Sequence, residues 1–163
     1  MVIQTCFYHR KYIGIDTIFG MVEIFEVTQP NDSYLAALND LLPQLSASAQ
    51  PMSMNSLVEL VQSDAVHLYL ALVDGEIVGS LTLVVFPIPT GVRAWIEDVV
   101  VDVRGRGKGV GKALTHHALL EAKKYGALTV DLTSRPSREA ANKLYQSVGF
   151  QKRETNVYRF KSN

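Results

Sequence analysis

Val99-Val-Val-Asp-Val-Arg-Gly-Arg-Gly-Lys-Gly-Val-Gly-Lys-Ala-Leu114 decides how the chain is read. An apolar run meets a turn with glycines at 105, 107, 109 and 111, and apolar residues then recur at helical spacing from Val110. Strand, glycine-rich turn and helix start follow in that order. Such a turn lets successive backbone N–H groups point into one concavity, and the unpaired N–H groups and dipole at a helix N-terminus favour an anion there. Arg104, Arg106, Lys108 and Lys112 add positive charge to the same rim. The stretch reads as a phosphate cradle.

Counting residues excludes two familiar phosphate loops. A Walker loop needs glycine five positions before Gly111, where Arg106 stands, and a hydroxyl after Lys112, where Ala113 stands. The dinucleotide fingerprint needs glycine where Val110 or Lys112 stands. The pattern that fits is Arg106-x-x-Gly109-x-Gly111 behind an apolar strand. It resembles the coenzyme A pyrophosphate loop of the GNAT superfamily of N-acetyltransferases. Farther on, Ala141-Asn-Lys-Leu-Tyr-Gln-Ser-Val-Gly-Phe150 resembles that family's other signature, a helix carrying Ala-x-x-x-Tyr that ends in Gly-Phe. Tyr145 follows Gly111 by 34 residues, which leaves room for one helix, one strand and the start of another helix.

Composition bounds the alternatives. The 163 residues suit one domain with a substantial core, 47% hydrophobic and 20% charged, and no apolar run approaches the ~18 residues of a membrane span. Sixteen basic residues balance sixteen acidic ones, so the global field attracts neither nucleic acid nor an anionic membrane. Cys6 is the only cysteine, which rules out an internal disulfide and suits a reducing compartment, with the cytoplasm as the default. His67, His116 and His117 lack metal-ligand spacing, and no metal site is expected. Residues 1–20 form an extension of uncertain role without the small-residue cleavage site of a signal peptide, and residues 21–163 form the single domain.

Working outward, Val22–Thr28 reads as a first strand, and Pro30-Asn-Asp-Ser33 supplies turn and N-cap residues. Leu35, Leu38, Leu41, Leu42 and Leu45 follow at helical spacing, and Pro43 is expected to kink or end that helix near Leu42. Leu57 to Val61 suggests a second short helix. Strands over Val66–Leu72 and Ile77–Phe86 are joined at Asp74-Gly75, a hairpin signal. Pro87 and Pro89 are expected to end the second of these strands, and the chain returns over Arg93–Val103 to complete an antiparallel meander. Behind the loop a helix ends near Gly126, and Leu128–Thr133 should lie parallel to the strand ending at Val103. A helix from about Ser137 carries Tyr145, and Phe150–Arg153 with Val157–Phe160 reads as a closing antiparallel pair.

The resemblance implies an α/β (α+β) fold with a mixed central sheet: an antiparallel N-terminal meander, and a parallel pair splayed around the coenzyme A site, flanked by helices. It implies acetyl-CoA as cosubstrate, no metal, and direct transfer of the acetyl group to a primary amine. Arg106, Gly107, Lys108, Gly109, Val110, Gly111 and Lys112 would hold the diphosphate. The main chain of Val99, Val100 and Val101 would pair with the pantetheine arm, which Asn142 could also reach. Tyr145 is the candidate proton donor to the leaving thiolate. Glu97 is the candidate base for the amine, with Trp95 expected to desolvate it partly. Asp98 falls on the opposite face if the strand is regular, and a bulge would change which carboxylate faces the cleft. A small-molecule amine is the expected acceptor. The alternatives are a protein lysine or N-terminus, a non-catalytic acyl-CoA-binding module, and a nucleic-acid-binding loop, which the neutral charge disfavours. Whether the chain forms a homodimer is left open.

Overall fold

A computed structural model describes residues 17–19 and 21–162. The short strand β1 (Thr17–Phe19) lies antiparallel to β2 (Val22–Glu26). Helices α1 (Asp32–Leu45) and α2 (Met54–Val61) follow, then the meander β3 (Val66–Val73), β4 (Glu76–Ile88) and β5 (Gly91–Val101). A 3₁₀ turn (Val103–Gly105) leads into α3 (Val110–Lys124), β6 (Thr129–Leu132) and α4 (Glu139–Ser147). The sheet order is the chain order, β1 to β6, with every neighbour antiparallel except the parallel pair β5–β6. The mixed sheet expected from the sequence is the observed one.

Period-2 alternation sorts the core onto the two faces of this sheet. Leu68, Leu70 and Leu72 of β3 join Phe25, Tyr34, Leu38, Leu41 and Leu57 under α1 and α2. Tyr69, Ala71 and Val73, on the other face, pack with Val110, Ala113, Leu114, Ala118 and Ala122 of α3. Burial of Leu57 and Leu114 is complete, each contributing about 1.5–3 kcal/mol by removal from water. His117 is also fully buried, edge-on to Tyr69 with ring centroids 4.7 Å apart, whereas His116 is exposed.

Both prolines expected to stop elements are instead absorbed. Pro43 lies inside α1, which runs one turn farther, to Leu45. It forfeits only its own N–H bond near the helix end, and the Ser46 N–H still reaches the Leu42 carbonyl at 3.0 Å. Pro87 lies inside β4, opposite Val92. The Val85 N–H, two residues earlier and pointing to the same side, bonds the Ala65 carbonyl just ahead of β3. The Pro87 nitrogen therefore faces the side on which β3 has already ended, so no ladder bond is lost.

The expected closing pair is a further correction: among the described residues no strand is formed over 150–162. The Phe150 N–H is committed to capping α4, bonding the Tyr145 carbonyl at 3.0 Å. Beyond it Val157, Tyr158 and Phe160 are 73, 88 and 93% exposed, so this segment buries too little apolar surface to support pairing. An Arg153–Asp131 contact of 3.5 Å tethers the segment to β6.

Asp102 links the sheet, α1 and the loop. Its N–H bonds the Val78 carbonyl on β4, and one carboxylate oxygen takes the Arg104 N–H and guanidinium, each at 2.8 Å. The other oxygen accepts from Gln44 of α1 at 2.8 Å and from Arg104 at 3.3 Å. The Arg104 side chain, its backbone N–H and Gln44 hold this buried carboxyl far below the usual carboxylate range, against the opposing effect of burial. A depressed folded-state value gives a contribution to stability that is present above the unfolded value near 4 and fades as pH falls through the folded one. Asp102→Ala leaves the Gln44 amide without this partner and is expected to cost about 1–3 kcal/mol in urea unfolding at pH 7. The difference from wild type should shrink as the medium is acidified below pH 4.

Candidate functional site

Pairing between β5 and β6 runs from Arg93↔Thr129 to Ile96↔Leu132 and stops there, although β5 continues to Val101. Past that point the two strands part, and two cavities open that share Val99, Arg138 and Tyr145 in their walls. One, of about 480 Å³, lies under the glycine-rich loop between α3 and α4. The other, of about 430 Å³, lies beside Glu97 and the end of α1.

The loop-side cavity is walled by Val99, Val101, Arg106, Gly107, Gly109, Val110, Gly111 and Lys112, joined by α4. Gly109 is the α3 N-cap with φ +80°, and Gly107 has φ +75°, backbone that side-chain-bearing residues rarely adopt. Among the described residues the N–H groups of Gly107, Gly109, Val110, Gly111 and Lys112 make no hydrogen bond. Five donors at a helix N-terminus, without a side-chain cap and beside Arg106 and Lys112, fit a diphosphate. Lys108 and Asn142 line neither cavity. Lys108 stands 4.0 Å from Asp74, and the Asn142 amide donates to the Arg135 carbonyl at 3.0 Å. Val100 faces the other way, 6% exposed in the core under α1 and α2.

Tyr145 is half-buried on α4, edge-on to Phe150 with centroids 6.0 Å apart. Burial raises its phenol above the ordinary value of 10, with the nearby Arg138 charge pulling weakly the other way. The phenol therefore keeps its proton throughout the neutral range.

The carboxylates are set by a bulge. Ser80 pairs with Val100 and Thr82 with Glu97, so Leu81 alone opposes both Asp98 and Val99. Asp98 takes the strain at φ +50°, a region in which Asp is among the better-tolerated side chains. As a result Glu97 and Asp98, which a regular strand would send to opposite faces, both line the second cavity. Glu97 is exposed, so the desolvation expected beside Trp95 is absent. The indole instead donates to Glu97 Oε1 at 2.7 Å.

Several further wall residues were not among the expected site residues. Arg138 enters both cavities from the N-cap of α4, and Ala140, Ala141 and Leu144 complete the loop side. Ala141 stands in the Ala-x-x-x-Tyr signature, which was the available sign that α4 comes close. Ser134, Arg135, Val157 and Arg159 reach the second cavity from segments outside the regular elements, where periodicity offers no guide. Among the described residues no three His, Cys, Asp or Glu side chains cluster as a metal site, and no helix is long and apolar enough to cross a membrane.

Comparison with known proteins agrees with this geometry. Residues 34–150 match the acetyltransferase (GNAT) family model, and the chain belongs to that family. Its members use acetyl-CoA, and the protein is an acetyl-CoA-dependent N-acetyltransferase. No curated protein matches the chain. Among solved structures it is similar to an acetyltransferase from Trypanosoma brucei, 26% identical, with a TM-score of 0.71 over 86% of this chain and 99% of that one. A putative acetyltransferase from Agrobacterium tumefaciens is 22% identical, with a TM-score of 0.76 over 85% and 99%. An aminoglycoside acetyltransferase from an uncultured soil metagenomic sample is 21% identical, with a TM-score of 0.76 over 88% and 97%.

Gly111 is where α3 meets α4: a Cβ built there lies 3.1 Å from Leu144 Cδ1. Gly111→Val should therefore push Leu144 into the loop-side cavity and cost about 1–3 kcal/mol in chemical denaturation, an overpacking effect. Gly111→Ala, whose single methyl is crowded by the movable end of Leu144 and meets Val101 Cγ2 at an ordinary 3.6 Å, should cost clearly less.

Proposed function

We propose that this enzyme transfers the acetyl group of acetyl-CoA directly to the primary amine of a small molecule, with Tyr145 as proton donor and Glu97 as base. The observation that carries the reading is the position of Tyr145 in the shared wall of the two cavities, one fitted to a diphosphate and the other holding the carboxylates. In this reading the diphosphate rests on the N–H groups of Gly107, Gly109, Val110, Gly111 and Lys112, with Arg106 as counter-charge. The pantetheine arm follows the β5 main chain through Val99 and Val101 between the parted strands. Its thioester then lies beside Tyr145.

The ammonium of the acceptor must lose a proton before it attacks, and Glu97 accepts it directly or through a water. Nitrogen then bonds to the thioester carbonyl carbon, and the C–S bond breaks as the tetrahedral intermediate collapses. The leaving thiolate takes the Tyr145 proton, and the second proton of the attacking nitrogen leaves to restore the phenol. The modest size of the second cavity, and the small-molecule activity in the name of the aminoglycoside acetyltransferase, favour a small amine over a protein side chain. The single cysteine and balanced charge suit a cytoplasmic enzyme.

Tyr145→Phe keeps the ring contact with Phe150 and deletes the O–H. Turnover should fall by about 10²-fold while the calorimetric affinity for acetyl-CoA stays nearly the same. Unchanged turnover with chemistry rate-limiting would reduce Tyr145 to a packing residue. Because the phenol titrates above its ordinary value, the wild-type rate should show no alkaline decline from this group below about pH 10.

Glu97→Gln preserves shape and removes proton acceptance. Its rate should be low at neutral pH and recover partly at high pH, where solvent supplies more free amine. A variant that keeps the wild-type pH–rate profile would transfer the role to Asp98 or to bulk water.

A further inference from the structure

The second cavity carries charge that the transfer chemistry does not use. Beside the carboxylates Glu97 and Asp98 its walls include three guanidinium-bearing residues, Arg135, Arg138 and Arg159. Arg138 donates to the Leu45 carbonyl at 2.8 Å, at the C-terminal end of α1. Arg135 and Arg159 have no ion-pair partner within 4 Å among the described residues, and neither does Asp98. Opposite charges thus line one cavity of about 430 Å³ without neutralising one another. Ser134, whose buried hydroxyl has no hydrogen-bond partner among the described residues, lies in the same wall.

Arg159 is brought there by the segment that forms no strand. Val157 and Arg159, two residues apart, line the cavity, whereas Tyr158 and Phe160 point outward at 88 and 93% exposure. Arg159 thereby borders the acceptor space. Free guanidiniums in a partly enclosed space favour planar oxyanions, which accept paired, charge-assisted hydrogen bonds. They also repel an acceptor with several positive charges.

Resting on the acetyltransferase reading above, we propose that the acceptor is an amine that also carries an acidic group, a phosphate or a carboxylate, bound by Arg135 and Arg159. Its ammonium end lies toward Glu97 and Asp98. The acceptor is thus dipolar, and the two ends of the cavity sort its two charges. Polycationic amines are poor acceptors.

The test compares acceptors that differ only in the acid, with coenzyme A thiol release as the readout. Glucosamine 6-phosphate is set against glucosamine for the phosphate arm, and β-alanine against β-alaninamide for the carboxylate arm. The acidic member of at least one pair should have kcat/KM about ten- to hundredfold higher, the range expected for hydrogen bonds to a charged group. The arm that responds identifies the acid. Arg135→Gln and Arg159→Gln, both exposed positions, should each reduce that preference through the acceptor KM, with the acetyl-CoA KM kept within about twofold, and Arg159→Lys should restore part of it. Equal rates within both pairs, a preference for the polyamine spermidine, or undiminished preference in both Gln variants overturns the proposal. If no acceptor turns over, the same compounds are titrated against the fluorescence of Trp95, the only tryptophan, whose indole is bonded to Glu97. Saturation by an acidic member, but not by its neutral twin, supports the proposal, and its absence overturns it. Failure of acetyl-CoA to bind in calorimetry would instead sink the acetyltransferase reading itself.

Discussion

Everything distinctive about the site depends on a mismatch of length between two parallel strands. β6 contributes four residues and β5 eleven, so hydrogen bonding stops at Ile96 while β5 continues alone to Val101. A main chain without a neighbour on one side is costly to bury, and here it opens onto two cavities that meet along it. The opening survives because β5 is held firmly from its other side by β4 and its end is anchored through Asp102. α3 and α4 then bracket the gap. Remove the mismatch by lengthening β6, and the sheet would close over the place where the two cavities meet.

The bulge on β5 adds the chemistry to this geometry. By sharing Leu81 between Asp98 and Val99, it breaks the alternation at the point where β5 leaves β6. Val99 borders both cavities, while Glu97 and Asp98 stay together on the second. Val100 remains in the core and pins the distorted strand down. Local strain at Asp98 is thus offset by burial two residues away.

What could be read from the sequence was what local physics controls. The loop glycines and the helix behind them answer to short-range rules of turn geometry and helical period, and they lie where those rules put them, whereas Tyr145 was singled out by the resemblance of its helix to the family signature. The hairpin at Asp74-Gly75 was equally legible. The joint placement of Glu97 and Asp98 was not, because the bulge depends on the register between β5 and Leu81 of β4, and register is a tertiary property. Arg159 was hidden for a similar reason: its approach to the cavity follows from the path of a segment with no regular structure. The prolines misled because a proline stops an element only if the missing N–H was needed, and that depends on which neighbour has already ended.

The proline in β4 has one more consequence. Beyond Val85 the β3-facing side of that strand has no strand neighbour among the described residues, and such an edge normally serves as a template on which another chain can build. Pro87 withholds a donor at that position and adds a ring where an incoming backbone would lie. The residue that looks like a flaw in the strand therefore makes this edge a poor template for edge-to-edge pairing.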